Sequence, residues 1–313
     1  MINHEIEDLM VTTFLGYKYR KQHDLLYSLD GHVPISLINM YYSGQVKRLD
    51  PNFVSRGFIE RYVENESVVE DVHDKDEVKG LAVMYRYMQE MDPKDVELFS
   101  LATLHRKLFS VKDETIRNNC EMVEYLGKVA CSKCSSKNEC GFGGRFRNSS
   151  ARLDGFPIDL CDPDCIYEEL LNLEEIFNNL KINALYMRNN NDYSHIISFI
   201  RQCVILKCHL IKIHPFGDGN GRTIRCLINK LFEIAGIPPV YISKEEKTEY
   251  KRAMNEALKY RTEEEYSDKK YNDIIGFYLY KVCDSIIELD INKRVREERE
   301  NNIYDIKRKK IKK

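Results

Sequence analysis

Between Tyr193 and Ala235 the chain places apolar residues at three- and four-residue steps on both sides of a short glycine-rich break. Ile196, Ile200, Cys203, Leu206, Leu210 and Ile213 share one face of a first helix. Ile224, Leu227, Ile228, Leu231 and Ala235 share one face of a second. A strand cannot carry a period of 3.6 residues, so the segment predicts two buried helices joined end to end. Gly236 supplies a stop for the second, with Pro238 and Pro239 beyond it. Fifteen Gly and eight Pro in 313 residues, with little strand-like alternation, extend this reading to a mainly α chain. That length holds one large domain or two small ones around a well-buried core.

Composition removes several classes of function. The 48 Lys+Arg are balanced by 50 Asp+Glu, leaving a net charge of −2, which excludes a polycationic nucleic-acid binder. The terminal KRKKIKK reads as a solvated basic tail. No apolar run approaches the ~18 residues that a membrane span needs. The first residues lack the apolar stretch of a signal peptide, so the reading is a cytoplasmic protein without a membrane partner. Ten cysteines in such a chain are thiols or metal ligands before they are disulfides. Cys203, Cys208, Cys226 and Cys283 fall in apolar helical patterns and read as small core residues. Cys131 and Cys134 form a C-x2-C pair, which suits one edge of a tetrahedral Zn2+ site; reduced thiols are the alternative.

Along the chain, residues 1–60 carry helical segments broken at Gly31–Pro34 and Asp50–Asn52. Helices continue over 65–110, with Asp92-Pro93 as a start signal for the segment bearing Leu98, Leu101, Leu104 and Leu108. From Cys131 to Asp164 the Gly, Cys and polar content predicts loop with a short hairpin.

The chemistry lies in the break itself, His214-Pro-Phe-Gly-Asp218-Gly219-Asn220-Gly221-Arg222-Thr-Ile-Arg225. Gly217, Gly219 and Gly221 let the backbone turn tightly and approach a ligand. The loop feeds a helix N-terminus, whose free N–H groups and dipole favour an anion. Arg222 and Arg225, three apart, project from one face and can fork onto phosphate oxygens. Asp218 offers the hard oxygen that Mg2+ prefers. His214, titrating near neutrality, can take a proton from an incoming hydroxyl. These residue types predict nucleotidyl or phosphoryl transfer onto a hydroxyl.

The segment resembles the motif H-x-F-x-[DE]-G-N-G-R-x-x-R of the Fic family at every defined position. The likeness continues through Asn229–Tyr250 (NKLFEIAGIPPVYISKEEKTEY), upstream at Leu101–Phe109, and at Gly144-Arg145-Phe146-Arg147 with the SSARLDG beyond it. It spans about residues 60–285. The resemblance implies a helical core with one small β-hairpin flap, over about 142–163. It also implies transfer of AMP from Mg-ATP to a Ser, Thr or Tyr hydroxyl of a target protein or of the enzyme itself. On that reading His214 is the general base and Asp218 the Mg2+ ligand. Gly219, Asn220 and Gly221, with Gly217 beside them, form the anion hole; Arg222 assists, and Arg225 holds the γ-phosphate. Phe216 packs inward, and Tyr250 opens the helix that lines the nucleotide pocket. Two departures concern adenine: Lys251 stands where many relatives have a second Tyr, and Leu258 near an expected Asn. With a hairpin between them, Cys140 and Cys161 join Cys131 and Cys134 as a candidate structural zinc set.

Many members carry an inhibitory helix, [ST]-x-x-x-E-[GN], whose Glu pairs with the second motif Arg. Glu60-Arg-Tyr-Val-Glu64-Asn65 aligns with it, making Glu64 the inhibitory candidate, and Ser67-Val-Val-Glu-Asp echoes the residues that come after the pattern in relatives. The implied organisation is an N-terminal helical region over 1–95 with the inhibitory helix near 60–70, a core over 96–285 with the catalytic loop at 214–225, and a charged helix and tail over 286–313. Alternatives are the reverse reaction, a Doc-like kinase using the same site, or a nucleotide-sensing module; a homodimer is possible by analogy with relatives.

Overall fold

In a computed structural model of the chain, residues 11–12, 18–19, 32–43, 56–118, 122–125, 128–131, 143–153, 158, 160–259 and 268–288 are described. Ten helices occur among them: α1 His32–Tyr42, α2 Arg56–Val69, α3 Lys75–Glu90, α4 Ser100–Leu108, α5 Ser110–Asn118, α6 Ile166–Asn190, α7 Ile196–Ile213, α8 Asn220–Ala235, α9 Lys247–Leu258 and α10 over 272–288. No helix among the described residues is long and apolar enough to cross a membrane.

The two helices expected on either side of the glycine break are α7 and α8, and α8 is central. All but Gly221 and Glu233 of its sixteen residues are buried, because α3, α4, α6 and α7 pack around it. Burial on every side means that most of its polar residues need partners within the protein, the Thr223 hydroxyl being buried without one. Asn229, for example, donates to the Val240 carbonyl (2.9 Å) and accepts from the Val240 N–H (2.9 Å), pinning the Pro238-Pro239 loop. Gly236 ends α8 at φ 79°, with the Ile237 N–H returning to Phe232 O at 2.8 Å. In α6 the buried set Ile166, Leu170, Leu173, Phe177, Leu180, Ala184 and Met187 alternates three- and four-residue steps, the stripe of a helix laid along its neighbours. Asp74 caps α3 by accepting from Asp76 N and Glu77 N. The Asp92-Pro93 start signal forms a 3-10 turn, Pro93–Asp95, one step ahead of α4.

Of the flap expected over 142–163, the described residues 143–153 hold a turn at 143–144 and a bridge at Leu153, and no ladder is described among them. Ladders occur earlier, as β1 Val11–Thr12 with β2 Lys18–Tyr19, and as β3 Met122–Tyr125 with β4 Lys128–Cys131. The second lies in the stretch between α5 and the expected flap. The rest of the flap (154–157 and 159), Cys134, Cys140 and the basic tail lie outside the described residues, and Cys131 is described by its backbone alone. Cys161 and Cys165 are free thiols, and no metal-binding group of side chains occurs among the described residues.

α3 meets α4 closely at Gly80, where an added Cβ would lie 1.7 Å from the Leu108 carbonyl oxygen. Gly80→Ala is therefore expected to destabilise the protein by at least about 2 kcal/mol in urea denaturation, since the obstacle is backbone. Gly276→Ala, with nothing within 4 Å of its Cβ, is the control. It is expected to be neutral or to stabilise by about 0.5–1 kcal/mol.

Candidate active site

α7 ends at Ile213, and His214 caps it in the left-handed region (φ 50°, ψ 62°), its N–H bonded to Leu210 O at 3.0 Å. That conformation is rare for a residue with a side chain and persists only where neighbours enforce it. Arg147 is the enforcer. Its Nε donates to the His214 carbonyl (2.7 Å), and its Nη2 donates to the Ile213 carbonyl (3.2 Å) and to the Cys161 carbonyl. Its own N–H donates to Pro215 O at 2.9 Å. One buried guanidinium thus satisfies carbonyls that the end of α7 leaves free. Burial holds the His214 imidazole below its ordinary pKa; the Ile211 carbonyl opposes this, Arg147 adds to it, and Glu70 and Asp218 oppose it in turn. The neutral ring is the form a general base requires.

From His214 the loop is fixed from within. Phe216 is fully buried and stacks on the His105 ring, centroids 3.9 Å apart and planes 11° apart. The Asn220 amide accepts from Phe216 N (2.9 Å) and donates to Phe216 O (2.7 Å). Its side chain therefore staples the loop, leaving its backbone N–H for a ligand. Gly219, at φ 74°, lies where a Cβ would meet the Phe109 ring at 2.8 Å, so only glycine fits. His105 joins the loop to residue 144: Gly144 N donates to Nδ1 (2.8 Å), which leaves Nε2 to carry the proton donated to the Asp218 carbonyl (2.9 Å). Burial pushes the His105 pKa down to about 4, and the neutral ring is what this bridge needs.

Gly219 is the N-cap of α8 and no side chain caps that helix. The N–H groups of Asn220, Gly221 and Arg222 have no hydrogen-bond partner among the described residues. The Glu70 carboxylate faces this end: a Cβ on Gly221 would lie 2.3 Å from Glu70 Oε1. Glu70 also accepts from Arg225 Nη2. Burial raises the Glu70 pKa, but the Arg225 charge and hydrogen bond outweigh it and the net direction is down.

Arg225, 4% exposed, is ringed by partners. Its Nε donates to both oxygens of Glu66 (3.0 and 2.9 Å), its Nη2 to Glu66 Oε2 (2.6 Å), and its Nη1 to Tyr250 Oη (3.2 Å). The carboxylates on Arg225 are thus Glu66 and Glu70, and the expected Glu64 is exposed. Helix geometry gives the reason: residues two apart project about 200° apart, while Glu66 and Glu70, four apart, stack on one face. Moved six residues downstream, the pattern places its Glu on Glu70, with Glu66 at its Ser/Thr position and Asp71 at its Gly/Asn position. Asp71 is left-handed at φ 55°, the conformation for which Gly or Asn is favoured.

Arg222 also departs from expectation. It is 2% exposed and paired with Glu77 of α3 (Nη1 to Oε2, 2.7 Å) and with Asp218 (Nη2 to Oδ1, 3.2 Å), so it locks the loop to α3. Asp218 keeps a side chain 70% exposed, and its Oδ1 accepts from Gly219 N at 2.6 Å. A Cβ on Gly217 would meet nothing within 4 Å, so that glycine opens the mouth of the loop. Tyr250 reaches the site, whereas Lys251 is exposed and Leu258 is buried in the core. Beneath the Tyr250 ring lies the ammonium of the fully buried Lys207, 4.8 Å from its centroid.

Residues 101–232, which hold His105, Arg147 and the whole loop through Arg225, match the Fic/DOC family. A 61-residue stretch is 43% identical to the protein adenylyltransferase Fic of Drosophila willistoni and 43% to that of Culex quinquefasciatus, covering 20% of this chain and 12% of each relative. The chain thus spans about an eighth of the length of the curated relatives it matches. A Fic-domain signalling protein from Bacteroides thetaiotaomicron has a similar fold (TM-score 0.55, 17% identity, 81% of this chain and 93% of that one). So does Fic-1 from C. elegans (TM-score 0.55, 16% identity, 87% and 75%).

The His105 bridge has a pH signature. Its folded pKa of about 4 lies below the ordinary 6.5, so the unfolded chain takes up a proton that the native ring refuses. The contribution is complete above about pH 6.5 and is lost as the pH falls toward 4. In urea denaturation between pH 7 and 4.5, His105→Asn is expected to lose about 2 kcal/mol less stability than the parent.

Proposed function

We propose that this site transfers the adenylyl group of ATP to a Ser, Thr or Tyr hydroxyl of a protein. The observation that carries the proposal is the seat of Glu70. Arg225 already holds an anion, the Glu70 carboxylate of the same chain, and that carboxylate stands beside the N-terminus of α8, where a polyphosphate would lie. Such an end-on cradle, next to a neutral histidine, is the equipment for displacement at phosphorus. The hydroxyl gives its proton to His214 while its oxygen attacks the α-phosphorus. The bond to the β-phosphate oxygen breaks, and pyrophosphate leaves. The N–H groups of Asn220, Gly221 and Arg222 stabilise the charge that develops on the α- and β-phosphate oxygens, the kind of donor worth ~3–4 kcal/mol each in oxyanion holes. Asp218, exposed beside those donors, fits as a ligand of the Mg2+ that would accompany ATP and neutralise its phosphates. The segment after Gly144, tethered to the loop through His105, is where a target backbone would be aligned.

Glu70 then acts as an internal inhibitor. The γ-phosphate and the carboxylate compete for Arg225, and a triphosphate cannot lie fully in the cradle until Glu70 leaves. The names of the curated relatives support this activity, and the pairing of Arg225 supports the inhibition.

Intact-mass spectrometry after incubation with Mg-ATP tests both. Glu70→Gly is expected to gain an adenylyl mass at least tenfold faster than the parent, and His214→Ala in that background is expected to gain none. A phosphoryl mass in its place would reassign the site to γ-phosphate transfer. A rate in Glu70→Gly equal to that of the parent would remove the gating role.

A further inference from the structure

Arg225 carries two carboxylates where one suffices for inhibition, and they differ in kind. Glu70 stands at the end of α2 with 31% of its side chain exposed, so it can rotate into water. Glu66, one turn earlier, is fully buried among Tyr62, Cys226 and Tyr278 and has no solvent to rotate into. Both of its oxygens accept from Arg225, the arrangement of a carboxylate and not of a protonated acid. Burial pushes its carboxyl up and outweighs the Arg225 charge and hydrogen bond that draw it down, so the net direction is up, and the carboxylate form is read from the hydrogen-bond geometry. Withdrawing it would strand a guanidinium in a closed apolar site, the costliest way to break a buried pair.

We propose that Glu66 is a resident counter-ion of Arg225, a positioning residue that stays in place when nucleotide binds and sets how strongly the site prefers a triphosphate over a diphosphate. This inference deepens the nucleotide reading above and rests on it. Glu66 takes the Nε and Nη2 edge of the guanidinium, so its orientation is set before any ligand arrives. The exposed approach is the Nη2 corner now held by Glu70. With Glu70 gone, Arg225 and Glu66 together carry no net charge, and a γ-phosphate meets an oriented set of donors in place of a free cation. Discrimination between ATP and ADP is therefore weak in this chain, because the one arginine placed to recognise the γ-phosphate is already neutralised.

Position 66 is also the first position of the inhibitory pattern, where Ser or Thr is expected and neither brings a charge. Glu66→Gln tests the charge with little change of shape. An amide oxygen at the Oε2 position keeps the 2.9 and 2.6 Å bonds and gives up only the 3.0 Å one. Affinities for ATP and ADP, each with Mg2+, are measured by calorimetry at pH 8 in the full-length Glu70→Ala protein and in Glu66→Gln/Glu70→Ala. The expected result is an ATP affinity about tenfold higher in the double variant, ADP affinity within twofold, and a correspondingly larger ATP:ADP ratio. The Glu66→Thr/Glu70→Ala protein is expected to shift the ratio in the same direction. It provides a second reading if the Gln variant is poorly folded by circular dichroism.

An unchanged ratio with normal ADP binding overturns the counter-ion role and leaves the nucleotide site standing. An ATP affinity that falls as much as the ADP affinity shows that Glu66 merely supports the fold. Absence of binding by either nucleotide in well-folded Glu70→Ala removes the nucleotide reading itself, and this inference with it.

Discussion

The end of α7 leaves carbonyls at Ile213 and His214 without helical partners, and the start of α8 leaves N–H groups at Asn220, Gly221 and Arg222 in the same condition. Only the short loop from His214 to Gly219 separates these two ends, so opposite unmet needs face one another across it. Arg147 meets the first from outside both helices, and in doing so holds His214 in a left-handed conformation it would not keep alone. The second has no hydrogen-bond partner among the described residues, and the Glu70 carboxylate stands beside it. The geometry of the site follows from this asymmetry. The carbonyl end is closed permanently by a buried arginine. The N–H end is faced by a carboxylate that retains access to water and that, on the proposed reading, gives way to another anion.

Holding two helix ends at that separation requires that the loop itself not relax. Its internal fasteners are the Asn220 amide across Phe216 and the stack of Phe216 on His105. Its external ones are charges. Arg222 reaches Glu77, and Glu77 in turn binds Lys112 of α5, which also touches Asp74 at the cap of α3. A chain of alternating charges therefore runs from the loop through α3 to α5. Arg222, read from the motif as a phosphate ligand, is the buried end of that chain. Taking it for catalysis would leave Glu77 nearly buried and without its arginine.

The parts legible in the sequence are those with a local rule behind them. The 3.6 period marked α7 and α8, Gly236 marked the end of α8, and the spacing of His, Gly and Arg marked the loop. Register on α2 was less legible, because Glu64, Glu66 and Glu70 all lie within a helical segment and the pattern can be laid on more than one of them. The deciding signal was conformational: the residue after the inhibitory Glu must tolerate positive φ, and Asp71 does so nearly as readily as the Gly or Asn of the pattern. Arg147 and His105 were visible as parts of similar segments, but their tasks depend on contacts 67 and 113 residues away along the chain, which no periodicity encodes. The adenine side stays least defined for a related reason. Leu258 occupies core where a polar residue was expected, and Lys207 lies beneath Tyr250 from a helix otherwise read as apolar.

How the site would open depends on the anchors of α2. Tyr62 is fully buried against Tyr85, ring centroids 4.4 Å apart, and Glu66 is bound to Arg225 by three hydrogen bonds. Beyond the last turn, the Val72 N–H returns to Ser67 O at 2.8 Å, closing the helix end. Lys247, the first residue of α9, donates to the Val68 carbonyl at 3.0 Å and pairs with Asp71. A helix held at its middle, its end and its flank is a poor candidate for wholesale displacement, since leaving would expose Tyr62 and strand both Glu66 and Arg225. Rotation of the Glu70 side chain alone exposes no apolar surface and breaks only its contacts with Arg225 and the start of α8. On the proposed reading, admission of a triphosphate would then need a rotamer change of one residue on a fixed helix. Because Lys247 ties that helix end to α9, whose Tyr250 also contacts Arg225, α2 and α9 together frame the arginine.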